Sequence, residues 1–355
     1  MKIWVLHNRV PADADPDDRD VLDQAAAVAD GLAACGHAVT VADTDSNLVD
    51  LAQRLSAGRP DLVFNLVESL DGHGRLIHVV PSLLDALGIR YTGCPSEAIL
   101  LTSHKLLAKG LLRRAGLSTP DWIVNEAELV GLARGGLRWE HPHWIVKSVW
   151  EDASLGIDDS SVVSVGTRAI QRALAVRAGR RGGPWFAEAF VDGREFNLAL
   201  LDGPDGVQVL PPAEIEFRDF PADKPRIVGY TAKWEPESFE YRNTVRTFPG
   251  HASDAGLLAN LTRLARDCWV LFGLRGWARV DFRVDGSGRP WILEINANPC
   301  LSPDAGYVAA LAQADLTFAQ ALARIVDVAC PNPKRAALRA GATRSPKHPR
   351  ESRQS

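Results

Sequence analysis

The sequence predicts an α/β fold: an N-terminal doubly wound parallel sheet, followed by α+β units. Two patterns carry that expectation. Over residues 1–94, short apolar runs alternate with amphipathic runs of helical period. Such alternation yields a parallel sheet with helices on both faces and ligands beyond the carboxyl ends of its strands. Over residues 278–299, ARVDFRVDGSGRPWILEINANP, Val280, Phe282 and Val284 alternate with Arg279, Asp281 and Arg283. Asp285-Gly286-Ser287-Gly288 then supplies a turn before Trp291-Ile292-Leu293, which reads as two strands folded into a hairpin. A chain of 355 residues can bury a large core and divide into two or three domains. The boundaries fall at 1–94, 95–188 and 189–330, with a basic tail over 331–355.

Composition narrows the classes. With 46% hydrophobic and 24% charged residues, the chain has the make-up of an ordinary soluble globular protein. A net charge of −4 argues against non-specific nucleic-acid binding. The distribution sharpens the point: residues 331–355 hold seven Lys or Arg against one Glu, which leaves 33 basic and 43 acidic residues before them. An acidic body that handles a polyanion needs local cations and a divalent metal. Cys35, Cys94, Cys268, Cys300 and Cys330 are scattered, odd in number and without a CxxC pair. Free thiols in a reducing compartment are therefore expected in place of a disulfide frame or zinc site. The opening MKIWVLHNRV reads as a first strand and not a signal peptide, and no stretch is long and apolar enough to span a bilayer. The expectation is a cytoplasmic protein with no membrane or nucleic-acid partner.

Residues 3–6 form the first strand. The polar stretch PADADPDDRD follows, and its acids Asp13, Asp15, Asp17, Asp18 and Asp20 suit a solvated loop and a helix N-terminus. Helical period over 21–34 ends at Cys35-Gly36, a C-cap signal. A strand over 37–41, a helix over 48–57 and a strand at DLVFN, 61–65, complete the alternation. The loop after DLVFN thus has a positional claim on chemistry. It carries Glu68, Asp71, His73, Arg75 and His78 before an apolar helix over 81–87. In the second unit His104-Lys105 opens a helix that ends at Ala115-Gly116. Residues 144–146 form a strand with Lys147 at its end, and 151–158 make a small, polar, glycine-containing loop. Such a loop lets backbone N–H groups approach phosphates, with the lysine as a point charge. Taken alone, a plain strand–loop–strand hairpin is the simpler explanation.

In the third unit PWFAEAFVDGREFNLALL alternates like strands around an Asp192-Gly193 turn, with Glu188 and Glu195 flanking it. Lys233 lies in a strand-like run between Tyr230 and Trp234. An amphipathic helix with Ser253 as N-cap runs to Phe272 and delivers the chain to the 278–299 hairpin. A last helix covers 317–329, and the basic tail is expected to be disordered.

Side chains two apart in a strand share a face, so Arg279 and Asp281 point one way, as do Glu294 and Asn296. Folding the hairpin about its turn brings Asp281 opposite Glu294 and Arg279 opposite Asn296. Two carboxylates and an amide oxygen at short range suit a hard cation such as Mg²⁺. Solvated acids on an amphipathic hairpin are the alternative, and the hairpin alone does not choose between them.

In order along the chain stand DLVFN, YTG, HKLLAKGLLRRAGLSTP, IVKSVWEDASLG, AEAFVDGREF, LPPAEIEF, YTAKW and GWARVDF…LEINANP. This series resembles the ATP-grasp superfamily, and within it the D-alanine–D-alanine ligase branch, over about residues 1–329. The resemblance implies an ATP-grasp fold, with ATP held between two α+β units. It implies a ligase that phosphorylates a carboxylate and lets an amine displace phosphate from the acyl phosphate to form an amide. ATP with two Mg²⁺, for which Mn²⁺ substitutes, small-molecule carboxylate and amine substrates, and a homodimer come with it. By position, Lys105 and Lys147 resemble the nucleotide-phosphate lysines and Lys233 a third cation near them. Glu188 and the backbone around Val191 resemble the adenine-binding segment, and Glu195 the residue that binds ribose hydroxyls. Glu151 and Ser154 stand on the loop that closes over the γ-phosphate. Asp281, Glu294 and Asn296 match the Mg²⁺ ligands, and Arg279 the cation facing the developing oxyanion. Arg279, Lys233 and Ser154 are thus the catalytic candidates. Phosphoryl transfer between anions requires charge neutralisation and in-line positioning more than covalent chemistry by the protein.

The chain departs from the family's pattern where the substrates would sit. The Glu, Ser and Tyr set around the first substrate's amine falls on Asp17, Ala153 and Trp234. The Ser-Leu pair that holds the second substrate's carboxylate falls on Ala305-Gly306, and the glycine after the metal-site proline is Cys300. Asp304 stands beside them as a charge expected to repel an acceptor carboxylate. Glu68, His73 and Arg75, on the loop after DLVFN, complete the substrate-site candidates. The sequence therefore points to a carboxylate–amine ligase whose pocket has diverged from D-alanine. A true D-alanine–D-alanine ligase with a variant pocket and a nucleotide-binding regulatory protein without turnover stand as alternatives.

Overall fold

The computed structural model describes residues 1–124, 142–151, 154–164, 166–177 and 183–330; the tail over 331–355, and with it the expectation of disorder there, lies outside them. The chain opens with β1 (Lys2–Asn8), α1 (Pro16–Ala34), β2 (Ala38–Thr44), α2 (Leu48–Gly58), β3 (Leu62–Asn65) and α3 (Val79–Ala86). The three strands pair in parallel in the order β2–β1–β3. Alternate residues of β1 serve two cores. Ile3 and Val5 pack with Ala25, Val28 and Leu32 of α1, whereas Trp4 and Leu6 pack with Leu51 and Leu55 of α2 and Val80 and Leu84 of α3. This is the doubly wound arrangement that the alternating runs predict. Helix α1 begins at Pro16, five residues before its apolar period becomes apparent. Proline suits the first turn, where its missing N–H costs nothing, and Asp17 and Asp18 suit the dipole.

Next come α4 (Ser96–Ser103), α5 (Lys105–Arg114), β4 (Trp122–Ile123), β5 (His143–Ser148), β6 (Val162–Ser164), α6 (Thr167–Arg177) and β7 (Trp185–Ala189). The strands form an antiparallel sheet in the order β4–β7–β5–β6. Ile170 and Ala173 of α6 cover it against Trp144, Val146, Trp185 and Ala187. Strands β5 and β6 are antiparallel neighbours, so the loop between them is a strand–loop–strand connection. Helices α4 and α5 lie elsewhere: Ala98, Ile99, Ala108 and Leu112 pack on Phe196, Leu198, Val280 and Phe282 of the larger sheet.

That sheet is built from β8 (Gly193–Leu201), β9 (Gln208–Val209), β10 (Ala213–Phe217), β11 (Thr244–Thr247), β12 (Trp277–Asp285) and β13 (Pro290–Asn296). Its order is β11–β10–β8–β12–β13, with β9 beside β8. Helices α7 (Tyr230–Trp234), α8 (Phe239–Asn243) and α9 (Ala255–Leu271) intervene, and α10 (Gly306–Gln313) and α11 (Phe318–Ala329) close the described chain. Thr317 and Gln320 form a capping box at the start of α11.

Three expectations are corrected here. Asp192-Gly193 does not join a hairpin, because β7 and β8 belong to different sheets and the chain crosses between them. Gly193 makes the crossing with φ +152°, where a Cβ would stand 2.0 Å from the Val284 carbonyl oxygen, so no larger residue fits. Lys233 sits in the helical turn α7 and not in a strand. Ser253 lies inside a short 3₁₀ turn, Ala252–Asp254, and Asp254 takes the N-cap position of α9 without a side-chain cap bond.

Trp277, fully buried at the start of β12, joins the first unit to the last. Its ring stacks on Phe64 of β3 at 5.5 Å and its Nε1 donates to the Pro299 carbonyl at 2.9 Å. Among the described residues no helix is long and apolar enough to cross a membrane.

Candidate active site

The two antiparallel sheets face each other across a cleft of about 710 Å³, with the loops of the first unit on its third side. The 278–299 hairpin supplies one wall. Asp281 pairs with Glu294 and Arg279 with Asn296, the register expected from the alternation, with an irregularity after Asp281. Arg279 donates from Nε and Nη2 to the two Asp281 oxygens, at 2.8 Å each, and Asn197 of β8 donates to Oδ1 at 2.8 Å. Burial pushes the Asp281 carboxyl up despite Arg279, whereas Glu294 is held well below the usual range. In Glu294 the upward push of burial is overcome by Lys105, Lys147, Lys233 and Arg279. Two carboxylates and an amide oxygen on adjacent strands, among these cations, form an oxygen-only donor set that fits a hard divalent ion.

The cations approach from both sheets. Lys105, at the first turn of α5, donates to the Glu151 carbonyl at 2.8 Å and lies 3.9 Å from Glu294. Lys147 projects from β5 to Glu188 of β7 at 3.0 Å. Lys233 lines the cleft without a hydrogen bond or ion pair among the described residues, and burial, followed by the charge of Arg279, lowers its pKa. Glu195 of β8 is ion-paired to Arg283 of β12 at 2.7 Å. Val191 and Glu188 line the same end.

Glu151 and residues 154–158 border the mouth. The Glu151 carboxylate accepts the Gly74 N–H at 3.3 Å from the opposite wall, and the Ser154 hydroxyl donates to the Val228 carbonyl at 2.6 Å. Ser154 takes φ +62° and Gly156 φ +69° to make that turn. Ala153 lies outside the described residues.

At the other end Asp17 accepts from the Tyr230 hydroxyl at 3.2 Å. Burial and then Asp17 push that hydroxyl up to about 12. The Cys300 thiol lies 2.9 Å from Asp20 and 3.1 Å from Ser302, and burial, with Glu68 and Asp20, pushes it upward. Glu68 accepts from Gln24 at 2.9 Å. Glu68, Trp234 and Asp304 also line the cleft. His73 and Arg75 do not: both are exposed and stand outside it. Asp71 and Gly72 take φ of +50° and +71° and reverse the loop, so that the Gly74 backbone, and not these side chains, meets Glu151.

Several lining residues escape sequence reading. Asn197 shares its strand face with Glu195, a period-two signal that could have found it. Arg283 follows Arg279 and Asp281 on the same face of β12 in the same way. Arg246 carries no such signal. It faces Asp304, and its guanidinium covers Gly306, where a Cβ would stand 3.4 Å from Nε. Lys109 lies outside the cleft, fully buried behind Glu188, and burial pushes it down to about 8.

A family profile described as "D-ala D-ala ligase C-terminus" matches residues 111–327. The chain is 31% identical to a D-alanine–D-alanine ligase of Gloeobacter violaceus over 92% of this chain and 99% of that one. It is 30% identical to an uncharacterized protein of Sinorhizobium fredii over 84% of each. The fold is similar to that of a D-alanine–D-alanine ligase from Bacillus anthracis complexed with ATP: the TM-score is 0.69, at 18% identity, over 95% of this chain and 99% of that one.

Proposed function

Because the chain belongs to the D-alanine–D-alanine ligase family of ATP-grasp enzymes, carboxylate–amine ligases that form C–N bonds, we propose that it joins a small carboxylate to an amine other than D-alanine, using ATP and Mg²⁺. The observation that carries the ligase reading is the convergence of Lys105, Lys147, Lys233 and Arg279 on Asp281, Glu294 and Asn296 in one cleft. The changed specificity is supported by the substitutions that the resemblance implies at the D-alanine positions.

In this reading Glu188 and the backbone at Val191 receive the adenine, and Glu195, fixed by Arg283, receives the ribose. Lys105, Lys147 and Lys233 neutralise the phosphates, and Glu151 and Ser154 hold the covering loop shut through Gly74 and Val228. Asp281, Glu294 and Asn296 would hold two divalent ions, Mg²⁺ or Mn²⁺, and such ions, when bound, would supply positive charge to offset that of the transferring phosphoryl group. Arg279 fixes the plane of Asp281 and places its positive charge toward the oxyanion formed when the amine attacks.

The substrate end supports a changed specificity. Asp17 is shorter by one methylene than the Glu that the family places there, and Trp234 brings bulk without a hydroxyl. Ala305-Gly306 removes the hydroxyl for an acceptor carboxylate, and the Arg246 guanidinium lies over Gly306. Sequence alone leaves Asp304 as an uncompensated negative charge; Arg246 faces it, so the acceptor end presents both signs.

The test is phosphate release with ATP and Mg²⁺ over a panel of amino acids and small carboxylates, with products read by mass spectrometry. The expected outcome is turnover with a member of the panel and little with millimolar D-alanine alone. Robust D-alanyl-D-alanine formation would overturn the changed specificity. A homodimer is proposed on the family likeness, and light scattering of the purified chain tests it.

A further inference from the structure

Lys109 is among the most deeply buried charged side chains described, 1% exposed, and it stands one helical turn after Lys105 on the same face of α5. Lys105 reaches the cleft. Lys109 points behind the small sheet, where its ammonium donates to the Thr119 hydroxyl at 2.8 Å and the Pro120 carbonyl at 3.1 Å and pairs with one oxygen of Glu188. The other oxygen of Glu188 meets Lys147 at 3.0 Å. The Trp122 ring, 5.6 Å from the ammonium, closes the site from solvent, and Arg113 lies over that ring at 4.0 Å.

Glu188 therefore stands between two cations, one fully buried and one at the cleft. A carboxylate shared in this way leaves a surplus positive charge, and the surplus sits on the partner that faces the cleft. Without Lys109, Glu188 and Lys147 would make a closed neutral pair, and the strongly desolvated carboxylate would draw Lys147 fully onto itself. We propose that Lys109 is a positioning residue: by neutralising Glu188 from behind, it keeps the charge of Lys147 available for the nucleotide's phosphates. The inference rests on the nucleotide placement given under Proposed function.

The experiment is binding of ATP, ADP, AMP and adenosine, by calorimetry, to wild type, Lys109→Met, Lys147→Met and the double variant Lys109→Met/Glu188→Gln. Lys109→Met should weaken ATP by tenfold or more, ADP and AMP progressively less, and adenosine by less than twofold. The double variant, which leaves no buried carboxylate to capture Lys147, should restore the ratio of ATP to adenosine affinity toward that of wild type. It also carries the test by itself should Lys109→Met fail to fold. Equal losses for ATP and adenosine in Lys109→Met would mean a purely structural ion pair and overturn the proposal. So would an affinity ratio in the double variant as low as that of Lys147→Met. Wild type that binds no ATP at all would overturn the nucleotide placement itself.

Discussion

The two ends of the cleft are built differently. At the proposed nucleotide and metal end most charged groups stand on strands β5, β7, β8, β12 and β13, with Lys105 on α5 and Lys233 on α7, and the strand residues hold one another: Arg279 on Asp281, Arg283 on Glu195, Lys147 on Glu188. At the proposed substrate end they stand on the N-terminal end of α1, the loop after β3 and the loop after β13, where Asp17, Asp20, Glu68 and Asp304 line the cleft. Ladder hydrogen bonds hold a strand residue to its opposite number, so the strand residues of the first end cannot shift without breaking a sheet. A loop can change its side chains without that penalty. On the proposed assignment, the chemistry shared by the family sits mainly on register, and specificity sits on connections.

Breaking the register end should have the largest effect. Glu294→Gln, alone or with Asp281→Asn, should lower turnover on the order of a thousandfold, the equivalent of several kcal/mol of transition-state charge stabilisation. The far-ultraviolet circular dichroism should be retained. Near wild-type turnover in the double variant would show that these oxygens hold no metal. At the substrate end, Arg246→Ala and Gly306→Leu should each raise KM for the acceptor about 10- to 100-fold, the cost of one charge-assisted hydrogen bond, and leave KM for ATP in place. A rise in both constants would erase the distinction between the ends.

A smaller effect is expected at the hairpin turn. Burial pushes the Asp285 carboxyl up, but hydrogen bonds from Ser287, Trp291 and the Arg289 backbone outweigh it and hold it down at about 2. A carboxyl lowered by folding contributes stability above its unfolded value, and that contribution is lost as pH falls through about 2. Asp285→Asn should therefore cost about 1 kcal/mol at pH 7 and close to nothing near pH 2. Urea titrations at both pH values check it, and an equal loss at each would mean that ionisation plays no part. The smallest effect belongs to removal of residues 331–355, which lie beyond the matched family segment and carry no apolar period. Tm and turnover should change within error, as surface changes away from packed features do.

The sequence by itself determined the hairpin register, the doubly wound first unit and the order of motifs, because each is written in a period of two or 3.6 residues within a short window. It misjudged Lys233, whose aromatic neighbours read as a strand while the local backbone closes a single helical turn. It misjudged His73 and Arg75 as well, because a loop's position says nothing of which way Asp71 and Gly72 turn it. Only the tertiary structure decided that Asp20 meets Cys300 across 280 residues, that Lys109 stands behind Glu188, and that Arg246 fills the space over Gly306. The first contact joins separate units, and the other two each join elements far apart in the chain of a single unit. They follow from how helices and sheets pack through shared cores such as the one around Trp277, and such packing depends on all the side chains of both partners at once, beyond the reach of any local window.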